Sequence, residues 1–319
     1  MSILIIILIV LLVIIVSGGV FTYFYCGKIA RNVYEDMLVR TSPEKWGRVC
    51  SAPEVPEHLE MWNRGVAWAQ AHKDCMTEVE LENDGFHLFG EYYDFGGTNA
   101  VIIIPGRCES LMYSYYFAIP YQKAGINCLV IDIRAHGKST GTYDSICVGE
   151  DGDLLKWSEM LVGRFGNEKV ILHGICIGAC TCGLLAIRDD CPDYIGAVVS
   201  EGGYISFPET FKQHMIQINK PVFPVMQMVM HEIKKHTGTD VYKTRPIDFI
   251  NRVRVPYLFL CGKKDLSSLP KCSQALYDRC GSQDKTIVWF EEGNHSHFRI
   301  ADEETYDKVI LEYVQRRFS

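Results

Sequence analysis

One stretch constrains the fold more than any other: Lys169 to Ala186, which reads K-V-I-L-H-G-I-C-I-G-A-C-T-C-G-L-L-A. Val170, Ile171 and Leu172 are apolar without alternation, as in a strand buried on both faces. The chain then turns at Gly174-Ile175-Cys176-Ile177-Gly178 and continues through small residues as a helix. A strand, a G-x-nucleophile-x-G turn and a helix together make a nucleophile elbow. Glycine is required on either side of the tip because the strand and helix backbones come too close for side chains. The tip residue itself is held in a strained conformation that projects its side chain. Serine is usual there; this chain carries Cys176. The position is a helix N-terminus, where unpaired N–H groups and the helix dipole favour an anion, and hence the reactive thiolate. The N–H of Ile177 is placed to donate to an oxyanion. The same pentapeptide also suits a buried structural cysteine in a tight turn, so other parts of the chain must decide between the two.

A length of 319 residues accommodates one large α/β domain with additions. A net charge of −7 without a basic cluster argues against a nucleic-acid partner. The 13 cysteines are odd in number, form no C-x-x-C pair and fall largely in apolar runs, as at Cys128, Cys180 and Cys261. They read as reduced core residues of a reducing compartment rather than as a disulfide framework. Cys176 and Cys180 lie one helical turn apart, but the ligand spacings of zinc sites are absent, so no metal is expected. No organic cofactor is implied either.

Ile3 to Tyr25 carry no charge. The run is long enough to cross a hydrocarbon layer of ~30 Å, and Tyr23 and Tyr25 end it as interfacial anchors. A cleaved signal peptide fits less well, because no Lys or Arg precedes the run and no A-x-A-like site follows it. The reading is therefore a transmembrane anchor over 1–26. Lys28, Arg31 and Arg40 all follow the span, which puts the C-terminal side in the cytoplasm by the positive-inside rule. Residues 27–75 read as a helical neck, with helix starts at Ser42-Pro43-Glu44 and Val55-Pro56-Glu57. Leu59, Trp62, Val66 and Ala69 share one face there, suited to packing on the main domain.

Residues 76–319 alternate strands with helices, the pattern of a mostly parallel sheet covered on both faces. Residues 202–253 interrupt that alternation and are rich in Met and Phe, including Met215, Met226, Met228 and Met230. An insertion at this point lies beyond the strand ends as a cap. Its methionines suit either an irregular apolar ligand or the cap's own small core.

Five stretches, each at a strand end, carry a resemblance. They are P-G-R at 105–107, D-I-R-A-H-G-K-S at 132–139, H-G-I-C-I-G at 173–178, G-K-K-D at 262–265 and G-N-H-S-H at 293–297. In this order the chain from about Met76 onward resembles the α/β-hydrolase superfamily, in particular its lysophospholipase-like and serine-aminopeptidase-like branch. The resemblance implies an α/β-hydrolase fold, with Cys176 as nucleophile, Asp265 as the acid and His295 as the base. It implies an oxyanion hole from the backbone N–H groups of Arg107 and Ile177. Glu201 is the rival acid and His297 the rival base. Asp132 and His136 belong to a loop that is structural in the family, and His173 suits a buried position. Arg107, Cys108 and Glu109 border the expected oxyanion hole. Some members, such as dienelactone hydrolases, look similar in using cysteine.

The resulting expectation is a membrane-anchored hydrolase that cleaves an ester or thioester of a small-molecule or lipid acyl substrate through a Cys-His-Asp triad. Two other readings stay open. One is an acyltransferase of the same fold; the other is a catalytically silent domain that binds a lipid or a partner.

Overall fold

The computed structural model describes residues 3–318; the first two residues of the expected anchor and the last of the main domain lie outside it. The charge-free run opens one continuous helix, α1 (Ile3–Leu38). Its apolar part up to Tyr25 is exposed, whereas Cys26, Ala30, Val33, Tyr34 and Leu38 are buried on one face. The helix start expected at Ser42 is not formed, and 42–49 is a series of bends and turns. Tertiary contacts override the local proline signal here. Trp46 takes a left-handed φ of 56° and stacks on His136 at 4.7 Å, and Arg48 reaches Glu91 and Asp132. The second start does open a helix, α2 (Pro56–Ala71). Gly65 permits its close crossing of the domain, since a Cβ there would meet the Tyr116 nitrogen at 2.9 Å.

The remaining elements run β1 (Met76–Asn83), β2 (Phe86–Tyr93), β3 (Asn99–Ile104), α3 (Leu111–Lys123), β4 (Asn127–Ile131), α4 (Glu150–Gly163), β5 (Lys169–Ile175), α5 (Ile177–Ala186) and β6 (Ile195–Glu201). Then follow α6 (Phe207–Gln217), α7 (Val225–Thr237), the single turn α8 (Pro246–Phe249), β7 (Tyr257–Gly262), α9 (Pro270–Arg279), β8 (Lys285–Phe290), the short α10 (Phe298–Ala301) and α11 (Glu303–Phe318). The strands form one sheet in the order β1-β2-β4-β3-β5-β6-β7-β8. β2 pairs antiparallel with β1 and β4, and all other neighbours are parallel. The C-terminal ends of β3 to β8 therefore open on one edge, where ligands of open α/β sheets bind.

Unbroken apolar strands are explained by burial on both faces. β3 sends Ala100, Ile102 and Ile104 into the core shared with α1, α4, α5 and the cap, and Val101 and Ile103 into the core under α2, α3 and α11. Between β6 and β7, helices α6 and α7 bury Met215, Met226 and Met230 with Phe207, Phe211 and Val229. Three of the four cap methionines are thus core, and Met228 alone lines a groove against α1.

Candidate active site

The turn after β5 positions Cys176 at φ 55° and ψ −109°, a strained combination for a side-chain-bearing residue. Its flanking glycines are sterically forced. A Cβ on Gly174 would lie 2.2 Å from the Gly178 carbonyl carbon, and one on Gly178 would lie 2.5 Å from the Ile104 oxygen. The Cys176 N–H donates to the Glu201 carbonyl at 2.8 Å, which ties the tip to β6. The loop after β3 packs directly on the tip, since a Cβ on Gly106 would meet the Cys176 Cβ at 3.4 Å. On that loop the Arg107 N–H, like the Ile177 N–H opening α5, has no backbone acceptor among the described residues.

Asp265 follows β7 and His295 follows β8. His295 Nδ1 lies 2.8 Å from Asp265 Oδ2, and because a carboxylate only accepts, Nδ1 carries the proton. The other oxygen, Oδ1, accepts the N–H groups of Ser267 (2.8 Å) and Ser268 (2.7 Å). Ser268 Oγ donates in turn to the Gly202 carbonyl at 2.7 Å. Gly202 lies against the pair, and a Cβ there would touch His295 Cε1 at 3.0 Å. Tyr113 OH donates to the Ser296 carbonyl at 3.2 Å and steadies the histidine loop.

His295 Nε2 is left without a hydrogen bond of ordinary geometry. Its electrostatic partner on that side is the Cys176 sulfur. Burial opposes charge on both partners, but their mutual attraction outweighs it. The Cys176 thiol is held below the ordinary thiol range, against burial, by the charge of His295 and by the Arg107 guanidinium. The His295 imidazole is held well above its ordinary value, again against burial, by Asp265 and Cys176.

The rival residues lie elsewhere. Glu201 is buried, accepts from Tyr306 OH and sits 3.4 Å from His173 Nε2. His297 turns Nδ1 back to the His295 carbonyl at 2.7 Å and stands 5.5 Å, ring to ring, from His58. Asp132 accepts the N–H groups of Leu111 and Lys138, and His136 Nε2 accepts that of Cys108. Burial holds His136 below its ordinary pKa, as befits a neutral acceptor. Glu109 faces the neck, where Ser51 Oγ donates to it and His58 Nε2 lies at 3.3 Å. The Arg107 side chain reaches back to α1 and donates to the Met37 carbonyl at 2.9 Å. Sequence reasoning did not find Gly202, Ser268, Tyr113 or these ties to α1 and the neck, because no local pattern marks a partner far along the chain. Among the described residues no group of three His, Cys, Asp or Glu side chains is arranged to hold a metal ion.

The family model of the alpha/beta hydrolase fold matches residues 99–230. The chain is similar to YqkD of Bacillus subtilis, with 24% identity over 246 residues that cover 74% of this chain and 80% of that protein. It is similar to the membrane protein YNL320W of Saccharomyces cerevisiae, with 24% identity over 224 residues covering 68% and 72%. Of solved structures, it is similar to the Pyrococcus furiosus esterase Pf2001, with 20% identity, a TM-score of 0.63, and coverage of 77% of this chain and 95% of that one. At such identity the structural likeness carries the fold.

Proposed function

For this chain, which has the α/β-hydrolase fold, we propose a membrane-anchored acyl hydrolase with Cys176 as nucleophile, His295 as acid and base, and Asp265 as the residue that orients His295. One observation carries the reading: the imidazole that Asp265 fixes at Nδ1 presents Nε2 to the thiol at the elbow tip. The thiolate attacks the carbonyl carbon of an ester or thioester, forming a C–S bond while the carbonyl electron pair moves to oxygen. The N–H groups of Arg107 and Ile177 hold that oxyanion. Collapse expels the alcohol or thiol, which takes the proton of His295 Nε2. Water then gives a proton to the same nitrogen, attacks the acyl-cysteine and releases the acid, and the thiolate leaves. With the thiol held below its ordinary range, His295 matters most for protonating the leaving group and for activating water.

The likeness to the esterase Pf2001 supports an acyl substrate. A panel of p-nitrophenyl esters and acyl thioesters, given to the detergent-solubilised chain, tests the reading. Turnover lost in Cys176→Ala supports it, and equal turnover in both proteins refutes it. Added amine separates hydrolysis from acyl transfer, since a transferase diverts acyl groups to the amine.

The anchor is α1. Ile3 to Tyr25 are exposed along a stretch of about 34 Å at 1.5 Å per residue, which matches a bilayer core. Lys28, Arg31 and Arg40 follow, so the catalytic domain lies in the cytoplasm. Digestion of the domain by protease added outside intact cells would place it on the other side.

A further inference from the structure

Helices α1 and α7 lie side by side and run in the same direction. Toward their C-terminal ends, Tyr34 of α1 stacks on His236 of α7 with ring centroids 5.2 Å apart. Further back, Arg31 and Glu232 line one hollow between the two helices. Toward their N-terminal ends, Tyr23 and Phe24 share with Pro224 and Met228 an open groove of about 990 Å³, to which Lys28 and Arg31 contribute. Two helices in step at three levels rise together. The start of α7 is therefore level with Tyr23 and Phe24, where the exposed apolar length of α1 ends.

The chain just before α7 is apolar and exposed. Ile216 is 51% exposed, Ile218 39% and Phe223 78%. Leu266 extends the patch at 61% exposed, and Gln217 Nε2 donates to its carbonyl at 3.1 Å. Leu266 directly follows Asp265, so the strip runs from the span to the lip of the candidate active site. Lys220 is exposed on the same turn. An aromatic tip among aliphatic side chains, ringed by Lys220, Lys28 and Arg31, has the chemistry of a lipid headgroup interface rather than of a water-facing loop.

We propose that the α6–α7 turn, with Phe223 at its tip, docks into the phospholipid leaflet that α1 crosses, so that the cap rests on the membrane. The argument for this occupant is continuity. The patch begins at the helix that enters the bilayer and lies at the level where that helix emerges. The inference rests on the reading of α1 as a membrane span. Its consequence is that the site's lip borders the leaflet, and an acyl lipid reaches Cys176 from there.

The full chain is reconstituted in phosphatidylcholine and phosphatidylserine vesicles with brominated acyl chains, and tryptophan emission is compared with that in unbrominated vesicles. Phe223→Trp and Ile218→Trp place reporters on the turn. Lys308→Trp places one on α11, which packs on the opposite face of the sheet. The wild-type chain supplies the background of its 5 tryptophans. The proposal expects brominated lipid to remove most of the emission added by Phe223→Trp or Ile218→Trp and none of that added by Lys308→Trp. Unquenched emission from both turn variants in chains that co-float with the vesicles overturns the docking and leaves the anchor reading intact. So does a shielding of those reporters that grows with protein density in the vesicles, which would assign the patch to a second copy. Failure of the chain to co-float overturns both readings.

Discussion

Nδ1 of His295 stands 2.8 Å from Oδ2 of Asp265, and the opposite oxygen of that carboxylate is held by two backbone N–H groups of its own loop. The carboxylate is thus locked by its own turn, and the imidazole is oriented by it with Nε2 outward.

On the proposed mechanism, His295→Ala removes the proton carrier and should lower kcat/KM by about 10³-fold or more. His297→Ala changes only a ring that bonds its own loop, and costs less than about tenfold. Steady-state kinetics on one activated ester checks both, and the reverse ranking would move the base to His297.

Asp265→Asn and Glu201→Gln separate the two acids. The first removes the acceptor that fixes the His295 tautomer and should lower kcat by about 10³- to 10⁴-fold. The second leaves the pH profile of turnover in place. It weakens a buried bond to Tyr306 and lowers the unfolding free energy by about 1–3 kcal/mol. A collapse of kcat in Glu201→Gln without loss of stability would contradict the assignment.

The elbow was legible in the sequence because its cause is local. Gly174 and Gly178 are demanded by contacts within a few residues, and the apolar run of β5 follows from burial on both faces. The pairing of Asp265 with His295 was legible only through the order of five short stretches, since nothing local pairs residues 30 apart. Ser42-Pro43-Glu44 misled because the stacking of Trp46 on His136 and the reach of Arg48 to Asp132 fix that segment from outside. The parallel seating of α7 on α1, and the Arg107 bond to Met37, join segments whose patterns give no hint of each other.

Glu150 gives a pH dependence of stability. Its buried carboxyl is pushed from the ordinary 4.5 to about 8, first by burial and then by the charge of Asp144, despite its bond with Ser145. A carboxyl with a raised folded-state pKa binds its proton more tightly when folded. Its contribution is full below about pH 4.5 and is lost as pH rises to about 8. Denaturant midpoints of the solubilised chain should therefore fall between those pH values, and Glu150→Gln should flatten that slope. An unchanged slope in the variant would contradict the buried, protonated state.

The proposed role of Cys176 as a nucleophile activated by His295 is tested most directly by the pH profile of its alkylation. An ordinary thiol titrates near ~8.5. Cys176 is held below the ordinary range, whereas burial pushes Cys128, Cys147 and Cys182 up, and Cys261 to about 12. A small alkylating agent at mildly acidic pH, with the modified peptide identified by mass spectrometry, should label Cys176 first. Turnover should fall in proportion to the label. The rate should inflect below ~8.5 in the wild-type chain and move upward in His295→Ala, where the imidazolium is gone. A folded chain in which Cys176 stays unlabelled until ordinary thiol pH, or is fully labelled with turnover intact, contradicts the account.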